Sequence, residues 1–127
     1  MAKVDWQEAV DIKKRVDFLI DRLAIDWIYK KDVHCFRSTN SHARAYARIW
    51  GLGQIWQIAL GQRPAYIIEV LSENFDKLSL RRKDEVLLHE LAHIPKNFSG
   101  ALKPHTHGRR GGFHDILKGL KRTYDRL

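Results

Sequence analysis

The chain has a single cysteine, Cys35, among 127 residues. One thiol excludes an internal disulfide framework and any zinc site built from clustered cysteines. It also fits a reducing, cytoplasmic compartment. There is no internal repeat, low-complexity tract or Pro/Gly-rich linker, so one domain over residues 1–127 is expected. The first eighteen residues, Met1 to Phe18, carry charges throughout, which excludes a signal peptide or a membrane span there. Acidic residues are outnumbered: 15 Asp and Glu stand against 23 Lys and Arg, a net charge of +8. The cations fall in short clusters: Lys13-Lys14-Arg15, Arg81-Arg82-Lys83, Arg109-Arg110, and Lys118 with Lys121-Arg122. Such a surface attracts phosphate backbones, and DNA association is one expectation. The plainer reading is a solvated surface, because no nucleic-acid motif accompanies the charge.

What is present is apolar material for a core: 44% of the chain, including four tryptophans. Val10, Ile12, Val16, Leu19, Ile20 and Leu23 recur at near-helical spacing, which predicts an amphipathic helix over about 5–24. Val33 to Phe36 is a short β-prone run, and Arg44 to Trp50 alternates with a period of two. Gln54 to Leu60 reads as a third strand. Gly61-Gln62-Arg63-Pro64 is a turn signal, and Ala65 to Leu71 is the nearly continuous apolar strand of a sheet interior. Three or four successive strands predict a small sheet flanked by helices. Ser79 is a plausible N-cap for a helix over about 80–94, which Pro95 stops. A last helix over about 113–126 has one apolar face of Phe113, Ile116, Leu117, Leu120 and Tyr124.

The chemistry-bearing motif is His89-Glu90-Leu91-Ala92-His93. Histidines four apart on a helix put both imidazoles on one face, where they can grip one ion. Leu80, Leu87, Leu91 and Ile94 cluster on the opposite face, so the histidines are expected to look away from the main core. Glu90 is placed to reach a metal-bound water without ligating the metal. Zinc brings the pKa of such a water near neutrality, and a carboxylate can then take its proton and pass it to the leaving amine. Five of the seven histidines fall between residues 89 and 114. The third ligand is sought among His105, His107, His114 and Asp115. The loop Ile94 to Pro104 is long enough to return His105, and the order of preference is His105, His107, His114.

The segments CFRS, RAYARIWGL, AYIIEVLSENFDKLS and HELAHIPKNFSGALKPH resemble a zinc metallopeptidase family of archaea and phages. That family is related in style to the SprT-like, or Spartan-type, HExxH metalloproteases. The resemblance runs from about Val33 to His105. It implies an α+β, zincin-like single domain with an N-terminal helix, a three- to four-stranded sheet, an active-site helix and a C-terminal helix. It also implies zinc held by His89, His93 and His105, with Glu90 catalytic. SprT-like proteins commonly place a glycine straight after the third ligand. Here Thr106 follows His105 and it is His107 that precedes Gly108, so both histidines stay in play. SprT-like relatives act on proteins crosslinked to DNA, in keeping with the +8 charge.

The leading expectation is therefore zinc-dependent peptide-bond hydrolysis of a protein or peptide substrate. Arg109, Arg110, His107 and Tyr124 are candidates to stabilise the oxyanion, and an extended substrate could pair with an exposed strand edge. A non-catalytic, zinc-stabilised nucleic-acid-binding module is the alternative. It would leave Glu90 idle, whereas a structural site closes four ligands and has no use for that carboxylate. A zinc hydrolase acting on a small amide is a third reading; the short chain favours an open cleft and a polymeric substrate.

Overall fold

The chain enters a sheet before it enters a helix. A computed structural model describes residues 3–105 and 108–127. Asp5–Glu8 is a strand, β1, and the first helix, α1, spans Val10–Arg22. The single helix predicted over 5–24 is thus corrected at its start. The ladder to the next strand takes up the backbone of Asp5 to Glu8, and Ala9 N donates to Cys35 O as the chain turns into α1. A single 3-10 turn, Lys30–Asp32, leads to β2, Val33–Thr39, and β3 spans Ala47–Gly51. Gln54–Leu60 is a helix, α2, and not the third strand its apolar residues suggested. Its ends explain the difference. Gly53 caps the start, and at the close Gly61 takes the left-handed conformation (φ 64°) while Gln62 N donates back to Gln57 O. That six-to-one bond is a helix-ending motif for which glycine is best suited. Side-chain burial did not drive α2: it has no buried residue, and Ile55, Trp56, Ile58 and Leu60 stand in solvent.

The remaining elements are β4, Tyr66–Leu71, the short α3, Ser72–Phe75, then α4, Leu80–Leu91, and α5, Phe113–Asp125. The fold is α+β, with five helices among the described residues and a four-stranded mixed sheet ordered β1-β2-β4-β3. β2 and β4 pair in parallel, Val33 opposite Tyr66; β1 and β3 join antiparallel on either side and form the edges. Alternation along the strands sends Val33, Cys35, Tyr66, Ile68 and Val70 into the core. There they meet Ile12, Val16, Leu19 and Ile20 of α1 and Leu87, Leu88 and Leu91 of α4. Burial pushes the Cys35 thiol up to about 12, which disfavours a thiolate there at neutral pH. The opposite sheet face leaves Trp6, Phe36, Trp50 and Ile67 around a shallow apolar depression.

α4 begins where expected, with Ser79 Oγ accepting from Arg82 N at 3.3 Å. It ends three residues earlier than predicted. His93 N and Ile94 N bond back to Glu90 O and Leu91 O, the tighter spacing of a 3-10 turn, and Trp27 Nε1 donates to Ile94 O. Leu80, placed on the buried face by its spacing, is exposed because it starts the helix at the surface, while Leu88 joins the core in its stead.

A fully buried carboxylate fastens three helices. Asp84 of α4 receives Nε and Nη2 of Arg15 from α1 at 2.8 and 2.6 Å, and the Tyr124 hydroxyl of α5 at 2.6 Å. Each partner answers part of the desolvation cost of that charge. Tyr124 is therefore committed to the helix seam and does not serve as the oxyanion donor considered above. Tyr124→Phe is expected to lower unfolding free energy by about 1.5–3 kcal/mol, the range for a hydrogen bond to a charged group. Urea unfolding checks this, with metal content per folded chain unchanged.

Candidate metal centre

The site is assembled by the chain that follows α4. Pro95 cannot continue the helix, and the segment after it is fastened at four points. Phe98 is buried with φ of 46°, held edge-on between the rings of Tyr29 and Tyr66 at centroid distances of 5.1 and 4.9 Å. The Tyr66 hydroxyl, from the central strand, donates to Ala101 O and accepts from Gly100 N, both at 2.8 Å. Gln57 Nε2, from α2, donates to Leu52 O and Ser99 O. Gly51 and Gly100 approach so closely that a Cβ on Gly51 would meet Gly100 O at 2.1 Å, which is why a side chain is excluded there. The fourth point is reciprocal. Lys103 N donates to His93 O at 2.7 Å, and His93 Nδ1 donates to Lys103 O at 2.6 Å.

This second bond decides the tautomer of His93. A carbonyl oxygen only accepts, so Nδ1 carries the proton and Nε2 presents a lone pair. A ligating histidine characteristically has such a partner behind it. Two residues on, His105 arrives beside His89, with their Nε2 atoms 3.1 Å apart. One available nitrogen from each of His89, His93 and His105 lies within 4.8 Å of the others, and the three could hold a metal ion. Two nitrogens on one tetrahedral zinc at about 2.0–2.1 Å stand about 3.3 Å apart, so the donor set fits such an ion. His107, the rival third ligand, lies outside the described residues. His114 starts α5 and is not part of the triad.

The histidines do not look away from the core, as their helix face had suggested. His93 and Glu90 are both buried, His89 is half-buried and only His105 is exposed. The covering ring is Phe113 at the start of α5. Its centroid lies 4.8, 4.3 and 4.7 Å from those of His89, His93 and His105, and it stacks on His93. Phe113 was legible as a residue of the α5 apolar face; nothing in its spacing marked it as a wall of the site. The role of Lys103 in orienting His93 is carried by a backbone carbonyl and had no sequence signal.

The electrostatics follow from this cover. Desolvation lowers His89 to about 4, helped by its neighbours His93, His105, Lys121 and His114; desolvation lowers His93 as well, against the bond to Lys103 O. Both imidazoles are thus neutral, the form that ligates. Burial alone raises Glu90 to about 8, since its carboxyl makes no hydrogen bond or ion pair among the described residues. A cation held by the triad would act in the opposite sense and favour the carboxylate.

With this geometry in place, the comparisons with known proteins have a structural counterpart. A family model described as "Putative phage metallopeptidase" matches residues 4–126. The chain belongs to this family. No curated protein and no solved structure matches it. Membership suggests a hydrolase acting on protein substrates with the help of a metal ion, in accord with the three-histidine cluster. Among the described residues no helix is long and apolar enough to cross a membrane.

The raised Glu90 has a consequence for stability without metal. Its folded-state pKa exceeds the unfolded value of 4.5, so the metal-free fold loses stability as pH rises from 4.5 through about 8. The lowered His89 acts in the lower window: its contribution is present above 6.5 and is lost as pH falls toward 4. Between about pH 6.5 and 8 the Glu90 contribution therefore dominates this pair. Metal-free Glu90→Gln is expected to be spared this loss, so its advantage over metal-free wild type should grow by up to about 1.4 kcal/mol per pH unit across the window. Denaturant titrations of both proteins across pH 5–8.5 check it; parallel curves would show that Glu90 does not carry the effect.

Proposed function

We propose that the protein is a zinc-dependent metallopeptidase in which His89, His93 and His105 hold the ion and Glu90 is the general base. The observation that carries this reading is the convergence of three imidazole nitrogens beside a buried glutamate, in a chain of a metallopeptidase family. When bound, zinc supplies a Lewis acid that polarises the scissile carbonyl and acidifies water. Glu90 takes the proton from the attacking water and delivers it to the leaving amine. The partly apolar surroundings that raise its pKa suit it to hold that proton between the two transfers. His93 is kept in its ligating tautomer by Lys103 O, and Phe113 limits the freedom of all three rings. β3 is an edge strand packed against α4, so an extended substrate can add to the sheet there.

The relation to SprT-like proteases and a cytoplasmic location belong to the same reading. Association with DNA rests on the +8 charge alone. The non-catalytic module explains neither the position nor the burial of Glu90.

About one zinc per chain is expected. His89→Ala and His93→Ala should each abolish zinc retention, and His105→Ala should weaken it far more than His107→Ala does. Metal analysis after dialysis checks the set; loss in His107→Ala with retention in His105→Ala would reverse the assignment of the third ligand.

Glu90→Gln should keep the zinc and the fold while hydrolysis falls on the order of a hundredfold to ten-thousandfold, the usual contribution of a general base. Gln fills the same space but accepts no proton. Matched samples of equal zinc content, assayed on a denatured protein substrate, provide the measurement. Undiminished cleavage by the variant would remove Glu90 from the chemistry.

A further inference from the structure

Next to the triad lies a cleft of about 390 Å³, and among the described residues its charged lining is Lys103, Arg109 and Arg110. Phe113 forms one wall, so the cleft shares a ring with the three histidines. Lys103 links the two sites again: its carbonyl orients His93 while its Nζ reaches across to Gly111 O at 3.1 Å.

The charges of this cleft have no internal answer. Arginines elsewhere that tie the fold together are neutralised: Arg15 by Asp84, Arg37 by Asp11 and Asp76, Arg48 by Glu69. Arg109 and Arg110 make no ion pair among the described residues, and no carboxylate lines the cleft. Asp115, which accepts from Gly111 N at 2.9 Å, is not among its lining residues. Three cations around one recess raise its potential, and a bound anion relieves their mutual repulsion. α5 adds to this, since it starts at the edge of the cleft and Gly112 supplies no side-chain cap.

We infer that this cleft is a subsite for an acidic side chain of the polypeptide substrate, so that the enzyme selects chains bearing Asp or Glu next to the scissile bond. The inference rests on the peptidase reading above. Guanidinium groups pair well with carboxylates, and the bounded shape suits a side chain. A nucleic acid would instead call for a track of cations following several phosphates.

The test is binding of two fluorescent peptides, one alternating Ala and Glu and one alternating Ala and Gln, to the intact zinc-loaded chain. The Glu peptide should bind about tenfold more tightly at low salt. Arg109→Gln/Arg110→Gln should bring the ratio close to one. Lys118→Gln/Arg122→Gln, which removes equal charge from α5 outside the cleft, should leave it intact. Equal binding of both peptides by the wild type overturns the inference. So does an equal fall in both double variants, which would assign the preference to net charge. Displacement of the Glu peptide by a single-stranded oligonucleotide at concentrations below the peptide's dissociation constant would reassign the cleft to nucleic acid. Binding needs no turnover, so the two readings fail separately. Discrimination without hydrolysis removes the peptidase and keeps an acidic-peptide site; hydrolysis without discrimination removes only this subsite.

Discussion

Lys103 and His93 bond each other twice, once through backbone N–H and carbonyl and once through the His93 ring, at 2.7 and 2.6 Å. These two bonds close the segment that leaves α4 at Pro95 back onto the end of α4. They hold His105 two residues further on, opposite His89, and they fix which nitrogen of His93 is free. The cost of ordering such a loop is considerable, and it is shared by the Tyr66, Gln57 and Phe98 contacts along its length. Without that closure the first two histidines would remain a pair on a helix end and the third would have no defined place.

The same closure creates the environment of the histidines. α5 is locked to α4 and α1 through Asp84, and its first residue, Phe113, lies over the histidine rings. Burial removes water from both Glu90 and His89, raising one and lowering the other by the same physical cause. Burial favours neutral forms, and neutral imidazoles are what a metal requires. The basic cleft that Phe113 also walls is a product of the same loop, so the histidine cluster and the cleft both depend on the chain between Pro95 and Phe113.

Local sequence carried the elements whose signals are local. The apolar run before Leu71 is the central strand, Ser79 caps α4, and the five apolar positions from Phe113 to Tyr124 are the packed face of α5. Spacing misled where ends or partners decide. Gln54 to Leu60 is apolar enough for a strand, but Gly53 and Gly61 cap it as a helix. Asp5 to Glu8 extends a helical pattern in sequence, yet it pairs with β2. α4 tightens into a 3-10 turn after Leu91, and its two histidines lie under the Phe113 ring and not on an open face.

The pattern His89-Glu90-Leu91-Ala92-His93 determines by itself that two imidazoles share one helix face with a carboxylate in the same turn, because that follows from helix geometry. The loop length leaves His105 within reach of them. What the tertiary structure alone decides is the bonding of His93 to Lys103 O, the Phe113 ring over the site, the shifted acidity of Glu90 and His89, and the gathering of Lys103, Arg109 and Arg110 around one cleft. Each of these depends on groups far apart in the chain or on backbone carbonyls, which carry no mark in the order of side chains. They exist only once a loop has closed and water has been displaced.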